Sequence, residues 1–292
     1  MTDALESIVN VVAGFFGLYS LQLSAKPKDA DHPYGHGKIE FISAAVEGVM
    51  ISFAAIFILF ESIRNLITPL PLRDLDTGIG LIAITAVVNF IMGSLCLRTA
   101  KKNNSLALQA SGNHLISDTY STIGILAGLL LLYFTGISWL DSAVAIIFGL
   151  IIFYTGFKII RTSIAGIMDE RDKDLLREMT EALDKDRSKN WVDIHNIRII
   201  KYGSTLHVDC HLTVPWYLNV HEAHDEIDKL GVLVRKRFGD AIELFVHSDG
   251  CLPTSCAICI KDDCPVRYHP FQWRIKWTVR NMQPDEKHHM NT

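Results

Sequence analysis

The chain has 292 residues, of which 49% are hydrophobic and 21% charged, and its formal net charge is −4 at pH 7. Residues 1–166 hold 10 Lys or Arg and 11 Asp or Glu, whereas residues 167–292 hold 18 and 21. The first part has too little charge for a surface in water, and the second has too much for a lipid bilayer. These values argue against a single soluble enzyme, a secreted disulfide scaffold, a disordered chain and a nucleic-acid-binding protein.

The first part contains five apolar stretches, each long enough to cross a bilayer core of about 30 Å as a helix. They cover residues 4–25, 41–66, 78–97, 106–134 and 139–160. The segments that follow the first, third and fifth stretches carry Lys and Arg, whereas the two segments on the other side hold a single Arg. The positive-inside rule therefore places the basic segments and the charged second half in the cytoplasm. We expect a multi-pass protein of a bacterial inner or plasma membrane.

This topology puts the start of the chain on the outer side. Asp3 and Glu6 lie at the beginning of the first stretch, and no basic segment precedes them, so the stretch does not resemble a signal peptide. A helix that enters from outside with acidic residues in its first turn usually follows another helix. We therefore expect that the sequence lacks an upstream segment.

Two polar pairs lie inside the apolar stretches. Glu6 and Asn10 belong to the first stretch, and His114 and Asp118 belong to the fourth. The spacing of four places each pair on one face of its helix. Ionisable groups at membrane depth are costly and usually mark a function. Four oxygen and nitrogen donors suit Zn²⁺ or a similar divalent ion, and interhelical hydrogen bonds are the alternative.

A second group of ligand-type residues lies between the first two stretches. Asp29, His32 and His36 are three and four residues apart, and Pro33 and Gly35 prevent a regular helix between them. Carboxylate and imidazole groups on a short loop suit a labile divalent metal. Solvated histidines are the alternative.

The segment DADHPYGHGKIE at residues 29–40, followed by HLISD at residues 114–118, resembles the cation diffusion facilitator family. The resemblance covers about residues 3–250. It implies a homodimeric divalent metal/proton antiporter with six membrane helices, of which the five stretches match the second to the sixth. It also implies a cytoplasmic ferredoxin-like domain after the helices.

The resemblance implies three sets of functional residues in this part of the chain: a transport metal site, a loop metal site and an ion pair that interlocks the dimer. They are Glu6, Asn10, His114 and Asp118; Asp29, His32 and His36; and Lys38 with Asp169. The alternative for the last pair is two solvated charges.

One departure from the family pattern concerns the metal. At the positions of Glu6 and Asn10 the family's polar pair usually ends in Asp. This chain has the neutral Asn10 there, which lowers the negative charge of the site. Metal identity and proton stoichiometry therefore stay open. The imidazole of His114 favours Zn²⁺ first and Fe²⁺ second over Mn²⁺ or Mg²⁺.

The second half has the pattern of a small α+β domain. Helices are predicted over residues 174–183 and 220–238, and strands over residues 197–202, 205–214 and 241–247. This order agrees with a ferredoxin-like fold. We therefore divide the chain into a transmembrane transport domain (1–168), a cytoplasmic metal-binding and dimerisation domain (169–250) and a Cys-rich tail (251–292).

Histidines of the second half match the positions at which the family's cytoplasmic domains hold a binuclear metal site across the dimer. The matched residues are His211, His224, His247 and Asp249. His207 and His221 have ligand spacing to two of them, and exposed surface histidines are the alternative. We expect the other four histidines to be solvated: His195, His269, His288 and His289.

Four of the six cysteines form the pattern C-x4-C-x2-C-x4-C: Cys251, Cys256, Cys259 and Cys264. Stable disulfides are disfavoured in the cytoplasm, so the cluster indicates a metal. A structural Zn²⁺ is the first interpretation, an iron–sulfur cluster the second, and reduced thiols in a loose tail the third. Cys96 and Cys210 are expected to be ordinary buried thiols.

The sequence therefore predicts a homodimeric transporter that exports Zn²⁺, or otherwise Fe²⁺, in exchange for protons. The alternatives are a membrane-anchored metal-binding or sensing protein that does not transport, and an inactive truncated transporter. An enzyme is disfavoured because the chain has no recognisable nucleophile–base pair or nucleotide-binding loop.

Overall fold

A computed structural model describes residues 14–68, 78–103, 105–135, 139–203 and 205–289. The chain divides into two compact units, Met1–Met168 and Asp169–Thr292. The first unit is helical, and the second combines a small sheet with helices.

The first unit contains four long helices and the described part of an earlier one. The earlier helix, α1, covers residues 14–24 where it is described. The long helices are α2 (Ile39–Ile67), α3 (Gly78–Asn103), α4 (Leu106–Thr135) and α5 (Trp139–Ile167). Three described stretches are long and apolar enough to cross a membrane: Ile39–Ile67, Ala83–Asn103 and Ser142–Ile167.

The long helices extend beyond the predicted apolar stretches. Arg98, Lys101 and Lys102 were expected in a loop, but they belong to the last turns of α3. The difference arises because an apolar stretch marks only the bilayer core. A helix continues into the interface, where long basic side chains reach water.

Glycines set the closest approaches between these helices. A Cβ atom on Gly48 of α2 would lie 3.1 Å from the carbonyl oxygen of Gly156 of α5. A Cβ atom on Gly93 of α3 would lie 3.1 Å from the carbonyl oxygen of Gly112 of α4. Small residues at such crossings let membrane helices pack by van der Waals contact. Many large apolar side chains, such as Phe53, are exposed and therefore available to lipid.

The second unit is built around a three-stranded sheet of order β1-β2-β3. Strands β1 and β2 are antiparallel, and β2 and β3 are parallel because α7 crosses between them. The elements are α6 (Lys173–Lys185), β1 (Asp193–Tyr202), β2 (Thr205–Val214), α7 (Val220–Phe238), β3 (Ile242–Gly250), a 3₁₀ turn (Pro253–Ala257) and α8 (Val279–Met282).

Strand β1 begins at Asp193, four residues earlier than the predicted strand. The sheet pairing shifts register between His195 and Arg198, and Asn196 has a positive φ of 52°. A β-bulge of this kind interrupts the alternation of side chains. The alternating pattern that predicts a strand is therefore lost at the residues that precede the bulge.

The segment after residue 251 packs against the core of the second unit, to which it belongs. Trp277 and Met282 belong to the same buried core as Leu176 of α6 and Leu230 of α7. The guanidinium of Arg187 lies 4.1 Å from the centre of the Trp277 ring, a cation–π contact. The described C-terminal segment is thus part of the folded domain.

Candidate metal sites

His114 and Asp118 form a polar pair inside α4. They lie on consecutive turns, and His114 Nε2 is 3.8 Å from Asp118 Oδ2. Both side chains are mostly buried, with 13% and 23% of their surface exposed. The other half of the predicted transport site, Glu6 and Asn10, lies outside the described residues.

A buried carboxylate near this pair was missed in the sequence. Glu47 of α2 is 2% exposed, and its Oε1 accepts a hydrogen bond of 2.7 Å from Ser111, one turn before His114 on α4. Its Oε2 is buried with no hydrogen-bond partner in the described part of the chain. A Cβ atom on Gly17 of α1 would lie 3.2 Å from Glu47 Oε1, so α1, α2 and α4 converge here. An acid well inside an apolar stretch was the signal that would have identified it.

A second buried carboxylate connects the same three helices near the end of α1 and the starts of α2 and α4. Glu40, the last residue of the DADHPYGHGKIE segment, is 3% exposed. It accepts hydrogen bonds from Ser24 (2.6 Å) at the end of α1 and from Ser105 (2.5 Å) at the start of α4. Because its carboxylate is satisfied by hydroxyl groups, Glu40 holds these helix ends together.

The loop before α2 brings Asp29, His32 and His36 together as predicted from their spacing. Asp29 Oδ1 is 3.0 Å from His32 Nδ1, and Asp29 Oδ2 is 3.3 Å from His36 Nε2. One ligand atom from each residue lies within 4.8 Å of the other two. The backbone N–H of His32 donates to Asp29, which lowers the pKa of that carboxyl and keeps it ionised. The geometry suits a small cation, and a metal at this loop stays a prediction.

The sheet of the second unit brings together three of the four predicted cytoplasmic ligands. His211 of β2 and His247 of β3 are neighbours in the register, with ring centres 4.8 Å apart. Asp249 Oδ2 is 3.6 Å from His211 Nδ1, and Asp249 Oδ1 is 3.9 Å from His247 Nε2. His224 lies on α7 and shares a cavity with Asp249, while its Nε2 is 3.9 Å from Asp228.

His207 and His221 were candidate ligands only because of their spacing from His211 and His224. His207 is buried, and its Nδ1 lies 3.3 Å from Glu243, its neighbour on β3. His221 lines the same cavity as His224.

Two histidines that were expected to be solvated are buried. His195 is 3% exposed and His288 is 2% exposed, so this expectation was wrong for both. Asp193 lies between them, 3.1 Å from His195 Nδ1 and 2.5 Å from His288 Nδ1. Burial favours a neutral carboxyl, but hydrogen bonds from the two imidazoles outweigh it and hold the pKa of Asp193 well below its usual range. The bulged start of β1 carries Asp193 and His195, and the returning C-terminal segment brings His288 to the same buried carboxylate.

The four clustered cysteines have free thiols. Cys256 and Cys259 are buried, and Cys251 and Cys264 are partly exposed. Arg267 fixes the loop by donating to the carbonyl oxygens of Cys256 (2.8 Å) and Cys259 (3.1 Å). No three of these sulfurs lie within 4.8 Å of one another in the described segment, so a shared metal stays a prediction.

The remaining predictions concern single residues. Cys210 is buried, and burial raises the pKa of its thiol to about 12, as expected of an inert core cysteine. Cys96 is only partly buried. Lys38 belongs to the first unit and Asp169 to the second, and their interlock stays a prediction.

Two family models match the chain. The model described as the cation efflux transmembrane domain matches residues 1–168, and the model described as the cation efflux protein cytoplasmic domain matches residues 172–251. The C-terminal segment beyond residue 251 is outside both matches.

The chain is also similar to individual proteins. It is 29% identical to an uncharacterized transporter of Synechocystis sp. over 237 residues, which cover 81% of this chain and 76% of the relative. It is 28% identical to the cation-efflux pump FieF of Salmonella paratyphi A over 255 residues, which cover 85% of this chain and 81% of the pump. The same pump of Salmonella agona gives the same values.

Proposed function

This chain belongs to the cation efflux (cation diffusion facilitator) family, and from that premise we propose that it exports Zn²⁺, or secondly Fe²⁺, in exchange for protons. The observation that carries the proposal is the His114–Asp118 pair, an imidazole and a carboxylate 3.8 Å apart inside a helix of the transmembrane domain. The named relatives are a transporter and a cation-efflux pump, not enzymes.

We place the transported ion between His114 and Asp118 on α4 and Glu6 and Asn10 on the helix that contains α1. One nitrogen and three oxygen donors suit a four-coordinate divalent ion. The imidazole favours zinc or ferrous iron over magnesium. Asn10 contributes a neutral oxygen, so the site carries two carboxylates rather than three.

Exchange with protons follows from the chemistry of these ligands. A metal binds only to deprotonated carboxylate and imidazole groups, so its arrival displaces protons and protonation displaces the metal. An imidazole ordinarily titrates near neutral pH, which makes His114 the principal proton-carrying group. Access of the site first to one side of the membrane and then to the other converts the proton gradient into metal export.

Glu47 adds a second acidic position along this path. It is bonded to Ser111, which lies one helical turn before His114, toward the end of α4 that follows the basic segment of α3. That end faces the cytoplasm by the positive-inside rule. We assign Glu47 the role of attracting the cation, or of accepting a proton, on the cytoplasmic side of the transport site.

The second unit binds metal and joins two copies in the proposed homodimer. Its ligands are His211, His247 and Asp249, together with His224 across the dimer. The loop site at Asp29, His32 and His36 and the cysteine loop are further proposed sites, with Zn²⁺ as the first metal for each.

The transport site is tested in proteoliposomes that contain a pH-sensitive dye. Addition of Zn²⁺ or Fe²⁺ to wild-type protein is expected to produce a proton flux, which His114→Ala and Asp118→Ala abolish. His269→Ala, a change at an exposed histidine, is the control and retains the flux. Wild-type flux in both α4 variants would exclude this transport site. Metal binding without flux in wild-type protein would instead support the non-transporting alternative.

A further inference from the structure

A polar cavity of about 300 Å³ lies between α4 and α5 of the first unit. The transport pair on α4, His114 and Asp118, is not part of its lining. Most of the lining residues are polar: Gln109, Asn113, Tyr154, Thr155, Lys158 and Thr162. A polar cavity in a membrane bundle that holds none of the described transport ligands needs an explanation of its own.

The cavity lies near the cytoplasmic ends of both helices. Helix α4 begins at Leu106 and α5 ends at Ile167, and both of these ends face the cytoplasm. At 1.5 Å per residue, Asn113 is about 10 Å from the start of α4 and Lys158 about 13 Å from the end of α5. Helix α5 has 29 residues, so its ends extend beyond a bilayer core of about 30 Å into the headgroup regions. The cavity is therefore within reach of the lipid headgroups of the inner leaflet, because a lysine side chain extends toward the interface.

Four polar side chains of the lining have no partner among the residues that the structure describes. The side chains of these residues make no hydrogen bond or ion pair with another described residue: Gln109, Asn113, Lys158 and Thr162. Thr155 differs, because its hydroxyl donates to the carbonyl oxygen of Ile151 (3.0 Å). Polar groups beside hydrocarbon are costly unless a partner satisfies them. The four side chains are thus available to a ligand.

The charge of the lining determines what kind of ligand the cavity accepts. Lys158 supplies a positive charge, and the described lining contains no Asp or Glu. The cavity therefore repels a metal cation and attracts an anion. The amide groups of Gln109 and Asn113 and the hydroxyl of Thr162 can donate hydrogen bonds, and a lysine ammonium is a common partner of phosphate. Basic pockets between membrane helices on the cytoplasmic side bind the headgroups of anionic lipids.

We propose that this cavity binds the phosphate group of an anionic phospholipid of the inner leaflet. Lys158 pairs with the phosphate, while Gln109 and Asn113 donate hydrogen bonds to its oxygens. The acyl chains lie along the side of α5 that continues toward the bilayer centre, where Tyr154 is 67% and Ile151 45% exposed. A lipid held in this way connects α5 to α4, the helix that carries the proposed transport pair.

The proposal is tested by lipid binding to the purified full-length protein in detergent. Phosphatidylglycerol, phosphatidylcholine and inorganic phosphate are titrated separately, and native mass spectrometry counts the bound molecules. Lys158→Gln removes the charge of an exposed side chain, and we expect it to weaken phosphatidylglycerol binding by at least about fivefold. Gln109→Leu keeps the side-chain size but removes the amide, and we expect a loss of about threefold. Lys101→Gln, in the last turn of α3 on the same side of the membrane, is the matched control and keeps wild-type affinity.

The three titrations also identify the source of the phosphate. We expect phosphatidylglycerol to bind wild-type protein more tightly than phosphatidylcholine, and inorganic phosphate at the same concentration not to displace it. Wild-type affinity in both Lys158→Gln and Gln109→Leu would overturn the proposal, as would equal binding of the two lipids. Displacement by inorganic phosphate would assign the cavity to a free anion instead. The assay contains neither metal nor a proton gradient, so its result is independent of the proposed transport.

Discussion

Glu47 is the side chain whose role is least explained by packing. It is a carboxylate with 2% exposure in a membrane helix, and only one of its oxygens has a hydrogen-bond partner within the described residues. A buried acid of this kind is costly and is retained when its charge or its proton is used. Its hydrogen-bond partner Ser111 lies one turn before His114 on α4.

We predict that Glu47→Gln lowers metal-driven proton flux by about tenfold, equivalent to ~1.4 kcal/mol. Glutamine preserves the hydrogen bond from Ser111 but removes the charge, so the change isolates the electrostatic role. The measurement is the initial flux in proteoliposomes at several metal concentrations. Glu61→Gln, a half-exposed acid on the same helix, is the control. Flux equal to wild type would leave Glu47 as a packing residue only.

His288 links the C-terminal segment to the buried start of β1. Burial opposes its charged form, but the hydrogen bond and charge of Asp193 outweigh burial and raise the pKa of His288. A histidine with a raised pKa stabilises the fold most below its unfolded value of about 6.5, and it loses this contribution as the pH rises through the folded value.

His288→Asn is therefore expected to destabilise the second unit by about 1.5–3 kcal/mol at pH 6, the range for hydrogen bonds to charged groups. The loss should become smaller as the pH rises to 9, because the imidazole gives up its charge as the pH passes its raised folded pKa. Thermal unfolding of metal-free protein at the two pH values measures the difference. A loss that does not change with pH would exclude the ion pair.

Helix contacts in the first unit depend on glycine at defined crossings. A Cβ atom on Gly156 would lie 2.4 Å from Ser52 Oγ and 2.9 Å from the carbonyl oxygen of Gly48. Real Cβ atoms do not approach other atoms so closely, and the backbone cannot yield without separating α2 and α5. This contact therefore limits which residues the crossing accepts.

For Gly156→Ala we expect an overpacking cost of about 1–3 kcal/mol, seen as a lower melting temperature and a smaller yield of monodisperse protein. Gly14→Ala is the matched control, because a Cβ atom there has no heavy atom of the described residues within 4 Å. Equal melting temperatures for the two variants would contradict the close packing of α2 on α5.

The cysteine loop is a compact element fixed by Arg267. If it binds a metal, Cys256→Ser combined with Cys259→Ser will reduce the metal content per chain, since thiolates are the ligands that zinc and iron–sulfur clusters share. Elemental analysis of the purified protein measures this content. Ser255→Ala, in the same turn, is the control, and unchanged metal in the double variant would leave four reduced thiols.

The boundaries of regular elements were predictable from the sequence. Strand β2 and helix α7 begin and end at the predicted residues, Thr205–Val214 and Val220–Phe238. Alternation is clear in the strand, and Asn219 with Glu222 forms the capping box that starts the helix. The bulged residues of β1 escaped prediction because a bulge removes the alternating pattern.

The proximity of ligand-type residues within one helix or loop was also predictable, whereas proximity between distant segments was not. His114 with Asp118, and Asp29 with His32 and His36, are close because short spacing brings them together. One ligand atom of each of His195, His211 and Asp285 lies within 4.8 Å of the others only because the chain returns over dozens of residues. Side-chain spacing contains no information about such a return, so His195 and Asp285 had no visible signal.

The two units divide the work of the proposed transporter. The first holds a polar pair and buried acids in an apolar helical bundle, and the second holds clustered imidazoles and carboxylates on a sheet. Transport requires only that the first unit exchange metal for protons. For the second unit we propose that bound metal reports the cytoplasmic metal level or stabilises the proposed dimer.

Exchange of metal for protons is the central claim, and zinc movement driven by a proton gradient tests it most directly. Proteoliposomes are loaded with an acidic buffer, diluted into neutral buffer with radioactive Zn²⁺, and compared with vesicles that have no pH difference. We predict that zinc accumulates inside wild-type vesicles only with the gradient, and that His114→Ala vesicles accumulate none. Equal zinc uptake with and without the gradient, or gradient-driven uptake by the His114→Ala variant, would contradict the account.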